Sequence, residues 1–289
     1  MRFMGKGLVL SAVGAALAVA LAGCGSGDSA ADPDGGRGTA DRERGDEGGG
    51  GEDAPGARAR AAVLAAARKT GAQSSYRTVQ RGAKGEGHSE MLFQKSPSAS
   101  VVKSWSSPSR ANPSGFSHMV SSGGAVYVYT DELPGKSWYR MDGGPADGAA
   151  SGGARAAGYV REFAGALAAS PSTRRVGEEQ VGGRPADHYY GRVVMDELAG
   201  YRGPALDDRV RDGYVATSRR AGLNTVFIEM WVGKDGLVLK SQERGYGTKG
   251  PELVVEEYSD FGAVPAIAPP PANTVATWKE FIDSLAQRS

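Results

Sequence analysis

The stretch TVFIEMWVGKDGLVLKSQERG, Thr225 to Gly245, decides how the rest of the chain is read. Successive side chains of a strand point to opposite faces, so Val226, Ile228, Met230 and Val232 share one face of an extended segment over Thr225–Val232, and Phe227, Glu229 and Trp231 share the other. Lys234-Asp235-Gly236 follows, and Asp-Gly between two apolar runs is the strongest short-range signal for a tight hairpin. Leu237 to Gly245 then resumes the extended pattern. Two strands joined by so short a turn must lie side by side and antiparallel. Both faces of the first strand carry large apolar groups, so the sheet needs a substantial cover.

Outward from this hairpin the same pattern recurs. Ser75–Arg81, Gly87–Lys95, Ser100–Ser106, Phe116–Thr130 with a break at Ser122-Gly123-Gly124, Ser137–Met141, Thr173–Gln180, Ala186–Met195 and Leu253–Phe261 all read as extended. Ala83-Lys84-Gly85 and Val181-Gly182-Gly183 supply turn chemistry between neighbours, so an antiparallel sheet is predicted. In Gly87–Lys95, Met91 and Phe93 stand opposite Glu90, Leu92 and Gln94, and the run Ala125-Val126-Tyr127-Val128-Tyr129 is apolar or aromatic throughout. Helices are predicted over Ala57–Thr70, where Val63, Leu64 and Ala67 share a side, and over Ala154–Ala169, where Tyr159, Phe163 and Leu167 recur every fourth residue. A third helix starts near the C-terminus at Thr277-Trp278-Lys279-Glu280, which has the capping-box form, with Trp278, Phe281, Ile282 and Leu285 as its apolar stripe. The fold class is therefore α+β.

The 289 residues contain a single cysteine, and it lies in a stretch with a different logic. Arg2 and Lys6 precede the uncharged run Leu8–Leu21, which ends in Leu21-Ala22-Gly23-Cys24, the order of charge, apolar core and small residues found in an export signal. Fourteen residues fall short of the roughly 20 needed to cross a bilayer. Leu-Ala-Gly-Cys resembles the bacterial lipobox, which implies that residues 1–23 are removed and that Cys24 carries a diacylglyceryl group. Two acyl chains, at about 0.8 kcal/mol per buried CH₂, anchor a protein firmly. The expected location is the cell membrane, on its extracytoplasmic face.

From residue 24 to 56 the chain is Gly-rich, with nine acidic and three basic side chains between Gly25 and Gly56 and almost no large apolar group. Such a segment cannot bury enough surface to fold. It reads as a tether, with an end-to-end distance of about 30 Å for a flexible chain of this length. Residues 57–289 form the expected single folded domain, with a net charge of +5 whose signs alternate along the chain. Neither nucleic acid nor a polybasic membrane patch is indicated.

Catalytic motifs are missing: no nucleophile elbow, zincin helix, phosphate loop or paired-cysteine metal site occurs, and no cofactor is expected. Ser100-Val101-Val102-Lys103 matches Ser-x-x-Lys but sits in a β-branched run and has none of its companion motifs. His88, His118 and His188 fall in separate strands without ligand spacing, and His188 is expected to hydrogen-bond across the sheet. The reading is of a protein that is not an enzyme.

Four segments in order, GGAVYVYTDELPGKSWYRMD from Gly123, VGEEQVGGRPADHYYGRVVMDEL from Val176, MWVGKDGLVLKSQE from Met230 and VVEEYSDFGAVPAIAPPPANTV from Val254, with a helix between the first two, resemble the actinobacterial lipoproteins of the LppX/LprG group, whose fold is similar to LolA and LolB. The resemblance spans about Ala57 to Val275 and leaves Pro97–Gly115, Arg211–Arg220 and the Trp278–Leu285 helix unaccounted for. It implies a strongly curved antiparallel half-barrel with helices packed in its concave face, enclosing a pocket for acylated lipids. On that reading the lining candidates are Met91, Phe93, Val126, Val128, Ile228, Met230 and Val232 from the strands and Tyr159, Phe163 and Leu167 from the covering helix. Two functions stay open at this point. The domain is either a carrier whose partners are the membrane, through its anchor, and an acyl-chain lipid, or a filled sensing module that meets an envelope protein partner.

Overall fold

The computed structural model describes residues 54–82, 87–109, 112–141 and 160–287. The export signal, Cys24, the acidic tether to residue 53, the Ala83-Lys84-Gly85 turn and the start of the second predicted helix, with Tyr159, lie outside the described residues. Twelve strands form one sheet: β1 Ser75–Arg81, β2 His88–Gln94, β3 Ala99–Trp105, β4 Phe116–Ser122, β5 Ala125–Tyr129, β6 Trp138–Met141, β7 Arg174–Val181, β8 Arg184–Val194, β9 Thr225–Gly233, β10 Val238–Gly247, β11 Gly250–Ser259 and β12 Val275–Thr277. Their spatial order is β12-β6-β5-β4-β3-β2-β1-β11-β10-β9-β8-β7, so the sheet is curved but unclosed, with edges at β12 and β7.

Every described pairing is antiparallel except β12 beside β6, which is parallel. That exception departs from the all-antiparallel expectation for a physical reason: β12 reaches the sheet by a long return from β11 rather than by a hairpin, so no tight turn dictates its direction. Elsewhere turn chemistry sets the pairing. Gly123 and Gly124 (φ 61° and 76°) and Gly182 and Gly183 (φ 57° and 78°) supply the two consecutive positive φ angles that match a tight hairpin to the twist of its strands. In the opening stretch, the Gly233 amide donates to the Leu237 carbonyl at 2.9 Å and the Gly236 amide to the Gly233 carbonyl at 2.7 Å.

Five α-helices accompany the sheet among the described residues: α1 Ala54–Gly71, α2 160–169, α3 Met195–Gly200, α4 Asp208–Arg220 and α5 Trp278–Ala286. Helix α1 begins three residues earlier than the sequence suggests, with Pro55 in its first turn, where a missing amide proton costs nothing. Its buried residues Ala59, Val63, Ala66, Ala67 and Thr70 form one stripe, which lies against β7, β9 and β10. Helix α2 is buried nearly all round, through Val160, Phe163, Ala164, Ala166 and Leu167. It approaches β8 closely because residue 191 is glycine: a Cβ there would lie 2.6 Å from Leu167 Cδ1 and 2.8 Å from Thr173 Oγ1.

Helices α3 and α4 have no counterpart among the three helices predicted from apolar spacing. The Arg211–Arg220 segment forms most of α4, started by Asp207, whose side chain accepts from the Val210 amide at 2.9 Å. Its polar composition hides an inward face of Arg211, Tyr214, Val215 and Ser218. Arg211 is only 3 % exposed, and it is satisfied by the Tyr201 carbonyl at 2.7 Å and by Asp208 and Asp212.

Helices α1 to α4 pack over the concave face of β8–β11, where Val193, Val226, Ile228, Met230, Val238 and Tyr258 form the main core with Val63, Phe163 and Leu167. This agrees with the sheet predicted from the sequence, covered by helices on its concave side.

Candidate functional site

Residues directly opposite each other in a sheet share a face, so register traces the concave surface beyond the helices. Across β1 to β6 one row runs Thr78, Met91, Val102, Met119, Val128 and Tyr139. The next row runs Tyr76, Phe93, Ser100, Ser121, Val126 and Met141. Alternation within each strand thus gathers Val, Met and aromatic side chains on one surface, interrupted by Thr78, Ser100 and Ser121. The part of it over β4 to β6 is open: Met119 is 41 % exposed and Met141 39 %.

Helix α5 forms one wall of this apolar trough. Thr277 caps it in a capping box, accepting from the Glu280 amide at 3.2 Å while the Glu280 carboxylate accepts from the Thr277 amide at 2.6 Å. Phe281 stacks on Tyr139, with ring centroids 4.0 Å apart and planes 11° from parallel, and Trp278 packs beside it at 5.5 Å. Burial, helped by the charge of Glu132, raises the Tyr139 phenol above its ordinary range. The stripe then continues to Ile282 and Leu285, which are 42 % and 38 % exposed. A helix with an apolar stripe half covered, beside a sheet on which Met119 and Met141 are exposed and Val126 and Val128 half-buried, presents apolar surface to solvent. Exposed apolar surface of this kind marks interaction sites and ligand grooves.

Strand β1 is the seam between this trough and the helix-covered half. Tyr76 is 1 % exposed, and its ring lies 5.1 Å from Phe93 in the trough and 6.4 Å from Tyr258 in the core. Its hydroxyl has no hydrogen-bond partner among the described residues. Beside it, Tyr258 donates to the Glu256 carboxylate, and the Ser241 and Tyr258 hydroxyls lie 3.5 Å apart. Burial pushes the Glu256 carboxyl up to about 7 against the opposing pull of the Tyr258 hydrogen bond. Burial, reinforced by the Glu256 charge, raises the Tyr76 phenol far above its ordinary value. Further along β10, Tyr214 of α4 donates to Glu243, whose carboxyl burial also pushes up to about 7. An island of polar groups therefore interrupts the apolar concave face.

The lining candidates from the sequence separate into three groups. Ile228, Met230 and Val232 of β9, with Phe163 and Leu167 of α2, are packed together in the helix-covered core, Ile228, Met230 and Leu167 without any exposure. Met91 and Phe93 of β2 are partly buried at the edge of that core. Val126 and Val128 of β5 lie in the open trough. Val102, Met119, Tyr139 and Met141 join them there, and sequence reasoning misses these four because the cross-strand register that aligns them has no signal in any single strand. Ser100 and Lys103 lie in β3, where a spacing of three puts them on opposite faces, so they cannot act together as nucleophile and base.

The convex face is aromatic and charged. His88 stacks on Trp105 and His188 on Trp231, each pair directly cross-strand, with centroids 4.4 Å apart and planes 10° from parallel. His188 meets the Glu179 carboxylate through Nδ1 at 2.7 Å and the Glu229 carboxylate through Nε2 at 3.0 Å, the cross-sheet bonding expected of it. A shallow cleft of about 750 Å³ lies between Arg77, Arg81, Glu90, Trp105 and Glu257. Its charges are already matched, Arg77 with Glu90 at 2.8 Å and Arg81 with Glu257 at 2.7 Å. Among the described residues no group of three or more His, Cys, Asp and Glu side chains is placed to hold a metal ion, and no helix is long and apolar enough to cross a membrane.

No protein-family profile matches the chain. An uncharacterized 31.2 kDa protein from the rplA-rplJ intergenic region of Streptomyces griseus is 32 % identical over 117 residues, which is 40 % of this chain and 38 % of that protein. The chain thus spans well under half the length of this curated relative. The crystal structure of LprF from Mycobacterium bovis superposes with a TM-score of 0.50 at 11 % identity, over 75 % of this chain and 99 % of LprF. The lipoprotein LppX from Mycobacterium tuberculosis gives 0.45 at 9 % identity, over 73 % and 98 %. The chain has an LppX/LprG-type fold, a curved and unclosed sheet with helices in its hollow.

Proposed function

We propose that this is an envelope lipoprotein, anchored through Cys24, whose concave trough takes the acyl chains of a lipid and shields them from water as a carrier or chaperone. The carrying observation is the apolar block in which exposed Met119 and Met141 share a face with half-buried Val102, Val126 and Val128, beside the half-covered stripe of α5. Met91 and Phe93 line its inner end. Moving a 16-carbon chain out of water is favourable by about 13 kcal/mol at 0.8 kcal/mol per CH₂. An apolar groove offers close to the same gain as a bilayer, so exchange between the two runs near balance and a carrier can both load and release. The family resemblance, with the pocket for acylated lipids it implies, supports the same reading.

A second reading rests on the convex face. Trp105, Phe116, Tyr129 and Trp138 make a row of ring contacts across β3 to β6, with centroids between 5.5 and 6.1 Å apart. Aromatic side chains of this kind are enriched where proteins meet. On this view the domain is a non-catalytic sensing module for an envelope protein.

The test is to purify the chain from Gly25 onward, extract it with organic solvent and analyse the extract by mass spectrometry. A stoichiometric acylated species that disappears in Val128→Asp supports the carrier. A clean extract, with no saturable uptake of a fluorescent acyl probe, overturns it in favour of the module.

A further inference from the structure

We infer that the Tyr76 hydroxyl is the polar anchor of the lipid site and takes an uncharged oxygen group, an ester carbonyl or a hydroxyl, at the head of the acyl cargo. This rests on the carrier reading and deepens it by naming the class of head group.

Three observations converge on Tyr76. First, its hydroxyl is buried and has no partner among the described residues. Buried polar groups in folded proteins are almost always hydrogen-bonded, because losing water without replacement costs about 1–3 kcal/mol. An orphan group of this kind calls for a partner from outside the described fold. Secondly, Tyr76 sits on β1, where the open trough ends against the filled core, and its nearest ring neighbour is the partly buried Phe93 of the trough. Phe93 is therefore the side chain that yields when a ligand with chains over Met91, Val102 and Met119 brings its head to the hydroxyl. Thirdly, the surrounding polar groups choose the sign of that ligand. Tyr258 already donates to Glu256, and the Glu256 charge reaches Tyr76. The available donor is a phenol next to a carboxyl group in a dry environment. A phosphate or carboxylate head would bury a negative charge beside the Glu256 carboxyl, with no lysine or arginine in the island of Tyr76, Ser241, Glu256 and Tyr258, and charges without partners in such surroundings are costly. An ester carbonyl accepts the phenol proton with no charge to bury.

The experiment compares two probes with identical fluorescent acyl chains, a diacylglycerol and the corresponding phosphatidic acid, titrated against residues 25–289 and the Tyr76→Phe variant. Removing an unpartnered hydroxyl does not threaten folding, so Tyr76→Phe is expected to melt no lower than the parent. The parent is expected to prefer the diacylglycerol by about tenfold, because its head brings no charge into the dry surroundings of Glu256. Tyr76→Phe removes the bond to the ester carbonyl that both probes carry, so it is expected to weaken both about fivefold and to keep the preference, whereas Glu256→Gln is expected to gain affinity for phosphatidic acid alone. Affinity for both probes unchanged in Tyr76→Phe overturns the anchor, and equal binding of both probes by the parent overturns its choice of an uncharged head, while either result leaves the carrier reading intact. Uptake of neither probe overturns both.

Discussion

His188 and Trp231 stack face to face across β8 and β9, and the same imidazole ties Glu179 of β7 to Glu229 of β9. Trp231 adds a second tie, donating from Nε1 to Glu179 at 2.8 Å, and the Lys240 ammonium of β10 lies 4.3 Å from the centre of its ring. One cluster thus fastens the edge strand β7 to the three strands inside it. His188→Ala leaves two carboxylates without their bridge and is expected to cost about 2–4 kcal/mol. Urea unfolding measures this, and a loss below about 0.5 kcal/mol would mean that the bridge contributes nothing beyond a surface contact.

Gly191→Ala is expected to destabilise the domain by about 1–3 kcal/mol, the usual cost of forcing extra volume into a packed core. The added methyl meets Leu167 Cδ1 at 2.6 Å and Thr173 Oγ1 at 2.8 Å, so α2 must shift off the sheet. The companion variant Leu167→Ala makes room on the facing side. If the losses of the two single variants simply add in the double variant, the two positions are not coupled through this contact.

Stability should fall as pH rises from about 4.3 to 7. Glu256 and Glu243 have folded-state values pushed up to about 7 by burial, whereas an unfolded glutamate titrates near 4.3. The folded chain therefore binds more protons in this window, and the stabilisation present below it is lost as pH climbs through the folded-state value. The effect is on the order of 3 kcal/mol for Glu256 and smaller for Glu243, which is partly exposed. Urea unfolding at pH 5 and pH 8 reads the slope. Glu256→Gln should flatten it, and a slope unchanged in that variant would assign it to other groups.

Helix α5 should come loose without unfolding the rest. Among the described residues it packs on β6 and β12, chiefly through the stack of Phe281 on Tyr139, and none of its residues is fully buried. Phe281→Ala is expected to abolish hydrogen-exchange protection in residues 278–286 while β8 to β10 keep theirs, since marginally packed elements open on their own. Loss of protection throughout the domain would make α5 part of the cooperative core.

Tyr76→Phe should be neutral or stabilising by up to about 1 kcal/mol, because it removes a buried hydroxyl that has no partner among the described residues. A thermal melt without lipid decides this. A clear drop in melting temperature would show that the hydroxyl is bonded within the free protein, for instance to an internal water.

Much of the sheet is legible in local pattern. The alternation in Thr225–Val232 and the Asp235-Gly236 turn place β9 and β10 within a residue or two of their ends, and Gly123-Gly124 and Gly182-Gly183 mark two more hairpins. The reason is that side-chain direction in a strand and positive φ at glycine are properties of neighbouring residues. Helix α4 is not legible because its polar side chains outnumber its apolar ones, and Arg211 faces inward only because Asp208, Asp212 and the Tyr201 carbonyl meet it there. Strand β12 is three residues long and pairs by returning from far along the chain, which no local signal announces.

The candidate site divides along the same line. Local sequence determined that Met91, Phe93, Val126, Val128, Ile228, Met230 and Val232 point to the faces they do, that α5 carries an apolar stripe, and that Cys24 follows an apolar run of export-signal form. Only the tertiary structure decided which of these faces is filled. Strands β8 to β11 receive α1 to α4, so Ile228 and Met230 become core, while among the described residues α5 is the helix packed at the β6 end of the sheet, so Val126 and Val128 are only half-buried. Burial depends on which helix covers which strand, a contact between segments far apart in the chain, and periodicity within a segment carries no record of it.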